Sequence, residues 1–160
     1  MDRASFVSHK TEETKMLFKR ISRASAETVF VVVKNVSGGT LTANYSCCWD
    51  VSAADGVRVT KPAVLTQVCY AGVADADIAN SAYGLIQVYG YRSNAYITYS
   101  SVSIVAGDAL GTGVAISWGL ERLGDGATGD AASFAFAAAA VASSTAVAHY
   151  TNSAVFLRAM

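Results

Sequence analysis

The sequence predicts an all-β domain, a β-sandwich or β-barrel of about eight to ten short strands, carrying an N-terminal arm that is extended or helical. Three observations carry this expectation. Runs rich in Val, Ile, Thr, Tyr and Phe recur along residues 28–158, punctuated by Gly, Asn and Asp about every ten residues. Two of these runs, Tyr83–Arg92 and Ala95–Val105, alternate with the period of two that a half-buried strand requires. Six of the twelve basic residues (Arg3, Lys10, Lys15, Lys19, Arg20 and Arg23) precede residue 24, which separates an arm, 1–26, from a β body, 27–160.

In the arm, residues 10–22 admit a short helix. Glu12 and Glu13 stand early and Lys19 and Arg20 late, as the helix dipole favours, with Met16, Leu17, Phe18 and Ile21 as a partial apolar face. A lone helix of that length is marginal in water, so an extended arm competes on equal terms. In the body, Thr28–Val36 and Thr40–Val51 flank Ser37-Gly38-Gly39 and read as a hairpin. Ala54-Asp55-Gly56 turns the chain into Val57–Thr60, which Pro62 ends because it has no N–H for a ladder. Ala63–Tyr70 is a further strand and Ala74–Ser81 a polar connection. Tyr83–Arg92 and Ala95–Val105 then read as a second hairpin turning at Ser93-Asn94. Gly107-Asp108 is a turn, Val114–Trp118 a strand and Gly124–Asp130 a loop. Ser133–Ala142 is alanine-rich, but Phe134 and Phe136 alternate, which favours strand, and Ala154–Arg158 closes the domain. No repeat of solenoid period stands out.

Charged residues make up 15% and hydrophobic residues 52% of the chain, and the formal net charge is zero. So little charge favours an oligomer or assembly over a free monomer, and it gives no reason to expect nucleic acid or an anionic membrane as partner. The longest apolar stretch, Phe134–Ala142, is far short of the ~20 residues a spanning helix needs, and no secretory leader pattern follows Met1. Cys47, Cys48 and Cys69 read as small buried hydrophobes in a reducing compartment.

No constellation for catalysis, cofactor or metal emerges. His9 and His149 lie at opposite ends of the chain, and Cys47-Cys48 lacks the spacing that lets two thiolates share one ion. No GxSxG elbow, Walker loop or GxGxxG is present. Asp125 and Asp130 fall short of the six to eight oxygens calcium takes. Tyr89, Tyr91, Tyr96 and Tyr99 cluster across the expected second hairpin. With only Arg92 nearby, they suit a subunit interface better than a stacking platform for bases.

The phrases VFVVVKNVSGGTL (29–41), WDVSAADGVRVTKPA (49–63), AGVADADI (71–78), YGLIQVYGYRSNAYI (83–97), AGDAL (106–110) and AVFLRAM (154–160) together resemble the small head-decoration, or cement, proteins of tailed bacteriophages and related virion proteins. The resemblance covers most of residues 28–160. It implies a non-enzymatic protein of the virion's capsid surface, made in the host cytoplasm, that trimerises and clamps the major capsid protein without a cofactor. On that reading Lys15, Phe18, Lys19, Arg20, Ile21 and Arg23 of the arm contact the capsid. Two other classes stand beside it. One is a tail- or fibre-associated module binding host glycan through the tyrosines. The other is a trimeric dUTPase-like hydrolase, because AGVADAD (71–77) is similar to that family's catalytic segment, with Asp75 in the catalytic position; its phosphate-binding motifs have no counterpart here.

Overall fold

Ten strands among the described residues join edge to edge in one hydrogen-bonded network. The computed structural model describes residues 18–21, 27–53, 55–63, 69–99, 103–112, 118–123, 133–142 and 149–159, with no α-helix among them. The strands are β1 (Phe18–Ile21), β2 (Thr28–Asn35), β3 (Ser46–Trp49), β4 (Arg58–Thr60), β5 (Tyr70–Ala74), β6 (Tyr83–Tyr99), β7 (Ala109–Thr112), β8 (Leu120–Arg122), β9 (Ala135–Ala137) and β10 (His149–Arg158). The all-β class expected from the sequence is the class observed.

The network closes twice. β2, β4, β3, β5 and the first part of β6 form one ring, because β6 also pairs with β2. The second part of β6 forms another ring with β10, β9, β7 and β8, because β8 returns to β6. β6 is therefore a stave of two barrels, and closure removes most of the unpaired edges that invite aggregation.

The two barrels follow one scheme. Among the described residues each contains a single parallel contact, β2–β4 in the first and β6–β8 in the second, beside antiparallel pairs. Each also has an isolated bridge, Leu41–Ile78 and Ile104–Val141, with the same interval between partners. Each makes the same turn. Asn44 N–H donates to the Ala74 carbonyl and Ala74 N–H to that of Tyr45, while Gly107 and Ala137 donate likewise to Ala137 and Asp108. Both turns need a left-handed residue, supplied by Asn44 (φ 71°) and Gly107 (φ 96°). The chain is thus an internal structural duplication sharing one strand.

Each barrel has its own core. The first is filled by Val33, Leu41, Cys47, Val59, Ile78, Ile86 and Val88. The second is filled by Ala95, Ile97, Ile104, Leu110, Leu120, Val155 and Leu157, with Tyr70 and Val73 entering from β5. Each large buried aliphatic side chain contributes about 1.5–3 kcal/mol, so both cores are real sources of stability. At Gly90 (φ +98°) a Cβ would run into the Glu27 carbonyl, so only glycine lets β2 start against β6.

Several expectations change. β2 and β3 are not a hairpin, because β4 lies between them. The chain leaves β2 at a turn fixed by Asn35, whose Nδ2 donates to the carbonyls of Gly39 and Ile78. Ser93-Asn94 is not a turn either: β6 runs unbroken from Tyr83 to Tyr99, and its pairing with β10 shifts register between Ser153 and Val155. The bend that the polar pair signals is absorbed as a bulge. In the alanine-rich segment only Ala135–Ala137 is strand, and β10 starts at His149 rather than Ala154. Phe18–Ile21, within the arm, is extended and antiparallel to β2, so helix does not extend over these four residues. The rest of 10–22, most of Ala63–Tyr70 and Val114–Trp118, and the Gly124–Asp130 loop with Asp125 lie outside the described residues.

Candidate functional site

At the junction of the barrels Arg92 turns inward and is 9% exposed. Its Nε donates to the Asn94 carbonyl (2.7 Å), Nη1 to Asp75 Oδ1 (3.2 Å) and Gln87 Oε1 (3.3 Å), and Nη2 to Asn44 Oδ1 (2.7 Å) and the Ala74 carbonyl (3.0 Å). A guanidinium has five N–H groups, and these five contacts engage all of them. Gln87 in turn donates from Nε2 to the carbonyls of Tyr89 and Tyr91. The knot borders a cleft of about 310 Å³ lined also by Asn44, Asp75, Tyr91, Ser93 and Asn94. With its donors engaged, Arg92 pins the Asn44 and Ala74 turns of the first barrel to the bulge in β6, and has none left for an anionic ligand. Asp75, half exposed, sits on Arg92 as its ion-pair partner.

The outer face of the second barrel carries a row of directly opposed residues. Tyr91 of β6 faces Phe156 of β10, Phe156 faces Phe136 of β9, and Phe136 faces Ala109 of β7. Tyr91 is 47% and Phe156 39% exposed, large values for aromatic side chains on a closed sheet. Tyr89 packs edge-on against Phe156 with ring centroids 5.5 Å apart, which holds the row in one orientation. An aromatic row on a rigid barrel face is suited to protein contact, because it buries large area with little side-chain freedom to lose.

A second apolar feature lies at the end of the first barrel. The β3–β4 connection holds a groove of about 390 Å³ lined by Trp49, Asp50, Val51, Ala53, Gly56 and Cys69, and Val51 at its lip is 76% exposed. The Asp50 carboxyl there is held below the usual carboxylate range by the Ser52 hydroxyl and N–H.

The four tyrosines of the expected interface do not share one surface. Tyr91 belongs to the row and Tyr89 packs between Phe156 and the first core, whereas Tyr96 packs on Tyr45 (4.3 Å between ring centroids) and Tyr99 against the second core. Tyr45 also meets Trp118 (5.6 Å), over which Lys61 Nζ stands at 4.4 Å. The separation follows from the unbroken β6, since the cross-hairpin neighbourhood expected for these rings never forms. Of the arm residues, Phe18, Lys19, Arg20 and Ile21 are β1, placed by their backbone alone, while Lys15 and Arg23 lie outside the described residues.

Sequence reasoning missed Phe136 and Phe156 as partners of Tyr91. Their shared alternation with neighbouring strands was readable, but the strand order that aligns them was not.

Cys47 and Cys48 are buried and Cys69 half-buried, all as free thiols. Burial, reinforced by the neighbouring Cys48, pushes the Cys47 thiol up to about 12, the opposite of what a nucleophile needs. Burial likewise raises Tyr70, whose hydroxyl has no hydrogen-bond partner among the described residues. Among the described residues no three His, Cys, Asp or Glu side chains group as metal ligands, and no helix is long and apolar enough to cross a membrane. His9 is outside them, and His149 opens β10. No known protein-family model matches the chain, and no curated protein matches it.

Proposed function

We propose that this chain is a non-enzymatic structural protein of a tailed-phage virion, a decoration or cement protein that binds the outer surface of the major capsid protein and stabilises the shell, acting as a homotrimer. The observation that carries the reading is the aromatic row Tyr91–Phe156–Phe136 on the outer face of a closed barrel, with Tyr91 and Phe156 exposed and Phe136 half-buried. Such a row works by burying apolar area, at about 25 cal/mol per Å², and not by chemistry. The phrases in 28–160 that resemble decoration proteins supply the identity of the partner. The basic arm supplies a second contact, with Lys15, Lys19, Arg20 and Arg23 meeting acidic capsid surface and Phe18 and Ile21 anchoring it.

The test is co-sedimentation of the purified protein with undecorated expanded capsids of the cognate phage, together with the thermal stability of those shells. Saturable binding and a raised shell melting temperature are expected. Absence of both overturns the reading. Removal of residues 1–23 is expected to weaken binding, and unchanged binding removes the arm from the account.

A further inference from the structure

The knot around Arg92 leaves polar groups unused. Nη1 takes Asp75 Oδ1 and Nη2 takes Asn44 Oδ1, so one buried guanidinium holds a carboxylate and an amide side by side. Among the described residues Asp75 Oδ2 and Asn44 Nδ2 then have no partner, and both residues line the cleft of about 310 Å³. The result is an acceptor beside a donor, each fixed in advance by Arg92. Ser93 and Asn94 add exposed polar side chains to the lining. Tyr91 adds a ring that is 47% exposed, on backbone held by Gln87 Nε2.

The turn beneath the cleft does not require these groups. In the second barrel Gly107 stands where Asn44 does, and Ala138 where Asp75 does, since Asp75 N–H donates to the Leu85 carbonyl as Ala138 N–H donates to that of Ala154. Phe156 takes the place of Gln87, facing Phe136 as Gln87 faces Val73. The same scheme is built there without a polar side chain at any of the three positions, so Asn44, Asp75 and Gln87 are additions to it. Their chemistry selects a ligand class. Every N–H of Arg92 is engaged, so an anion finds no free cationic donor and meets the Asp75 carboxylate instead. One carboxylate, already paired, falls well short of the oxygen set a calcium ion takes. A sugar ring meets both terms. Each hydroxyl donates and accepts, neighbouring hydroxyls span an adjacent acceptor and donor, and the C–H face suits an aromatic ring. The cleft is near the lower end of small-molecule sites, about 300–1,000 Å³, which suits one ring rather than a long chain.

We propose that the cleft at the barrel junction binds a neutral saccharide, with Asp75 Oδ2 accepting from one ring hydroxyl, Asn44 Nδ2 donating to its neighbour, and Tyr91 covering the C–H face of the ring. Arg92 is a positioning residue, which aims the carboxylate and the amide without touching the sugar. The site goes beyond the capsid reading and does not depend on it.

The test uses the free full-length protein, because Tyr91 also belongs to the aromatic row. Amide chemical shifts of isotope-labelled protein are followed while glucose, galactose, mannose, rhamnose, N-acetylglucosamine and N-acetylgalactosamine are added one at a time. Glucuronate and inorganic phosphate serve as anionic probes. At least one neutral sugar is expected to saturate, with a dissociation constant on the order of 1 mM for a single ring. The shifts are expected at Asn44, Asp75, Ser93 and Asn94. Asp75→Asn turns the acceptor into a donor, and Asn44→Asp the donor into an acceptor, while each keeps the oxygen that Arg92 holds. Both are expected to melt near wild type and to bind at least roughly tenfold more weakly. Tyr91→Ala leaves the knot intact and is expected to weaken binding in the same sense, which keeps the test decisive should either polar variant unfold. Saturation by none of the neutral sugars overturns the proposal, as do shifts confined to the Val51 groove. Tighter binding of phosphate or glucuronate than of any neutral sugar, or unchanged affinity in any folded variant, overturns it equally.

Discussion

Replacing Arg92 by alanine tests how the two barrels are held together. The side chain engages five acceptors, and two of its contacts, to the Ala74 carbonyl and Gln87 Oε1, are buried. Leaving a buried acceptor without a partner costs about 1–3 kcal/mol, so these two give about 2–6 kcal/mol. The ion pair adds little, because Asp75 is 45% exposed and solvent screens it. The acceptors of Asn44 and Asn94 border the open cleft, where water replaces the guanidinium. Equilibrium urea unfolding followed by circular dichroism measures the loss. Arg92→Met is expected at the lower end, since it keeps the apolar stem. The double variant Gln87→Leu/Arg92→Met should lose less than the sum of its single changes, because both polar partners are then removed together. If Arg92→Ala costs under about 1 kcal/mol with an unchanged urea slope, the knot does not hold the barrels and the reasoning is refuted.

Further outcomes follow from the same geometry. Gly90→Ala puts a side chain at φ +98° and against the Glu27 carbonyl, so a loss of more than about 2 kcal/mol is expected by urea unfolding. Asn35→Ala removes donors to Gly39 and Ile78 and the acceptor of Ser37 N–H at a fully buried site, and should cost about 2–4 kcal/mol, measured by thermal and urea unfolding. The Cys47 thiol titrates at about 12 when folded and near 9.0 otherwise, so its neutral form is favoured in the fold. That stability is complete below pH 9 and is lost as pH rises towards 12, at about 1.4 kcal/mol per pH unit per proton. Tyr70, raised in the same sense, steepens the loss above pH 10. Cys47→Ala should flatten the pH 9–12 limb of a stability profile.

Much of the fold is local in origin, and that part is legible in the residues. Alternation in Tyr83–Arg92, the β-branched run of β2 and the Pro62 stop all identify strands, because side-chain period and missing donors are properties of short segments. What the residues do not expose is which strand lies beside which. β4 intrudes between β2 and β3 through the long-range Leu41–Ile78 bridge and the Asn35 side chain, and neither has a local signature. Ser93-Asn94 carries turn chemistry, yet the inward Arg92 keeps the strand running and leaves only a bulge. The duplication is hidden for a related reason. Equivalent positions hold Phe30 and Tyr91, Gln87 and Phe156, or Val73 and Phe136, so the scheme of pairing is repeated while the residues are not. Leu41 with Ile104, Ile78 with Val141 and the turns at Asn44 and Gly107 are the few places where the repeat leaves a chemical trace.

The candidate site followed the same division. The tyrosine cluster expected from composition divides: Tyr91 faces outward opposite Phe156, against which Tyr89 also packs, whereas Tyr96 and Tyr99 turn to Tyr45 and to the second core. The Ala-Gly-Asp phrase at 106–108 is a built turn, in which Asp108 Oδ2 accepts from Val105 N–H and pairs with Arg122. The role of such phrases in the fold is structural, and the proposed contact surface is on the barrel wall between them.

Side-chain footprinting by hydroxyl radicals tests the central claim, that this protein works by burying its aromatic row, most directly. Rates at Tyr91, Phe136 and Phe156 are compared between dilute monomer and concentrated or capsid-bound protein, with Tyr83, 66% exposed and away from the row, as internal reference. Strong protection of Phe156 and Tyr91 in the assembled states is predicted, with an unchanged rate at Tyr83. Equal labelling of Tyr91 and Phe156 in dilute and assembled protein would contradict it.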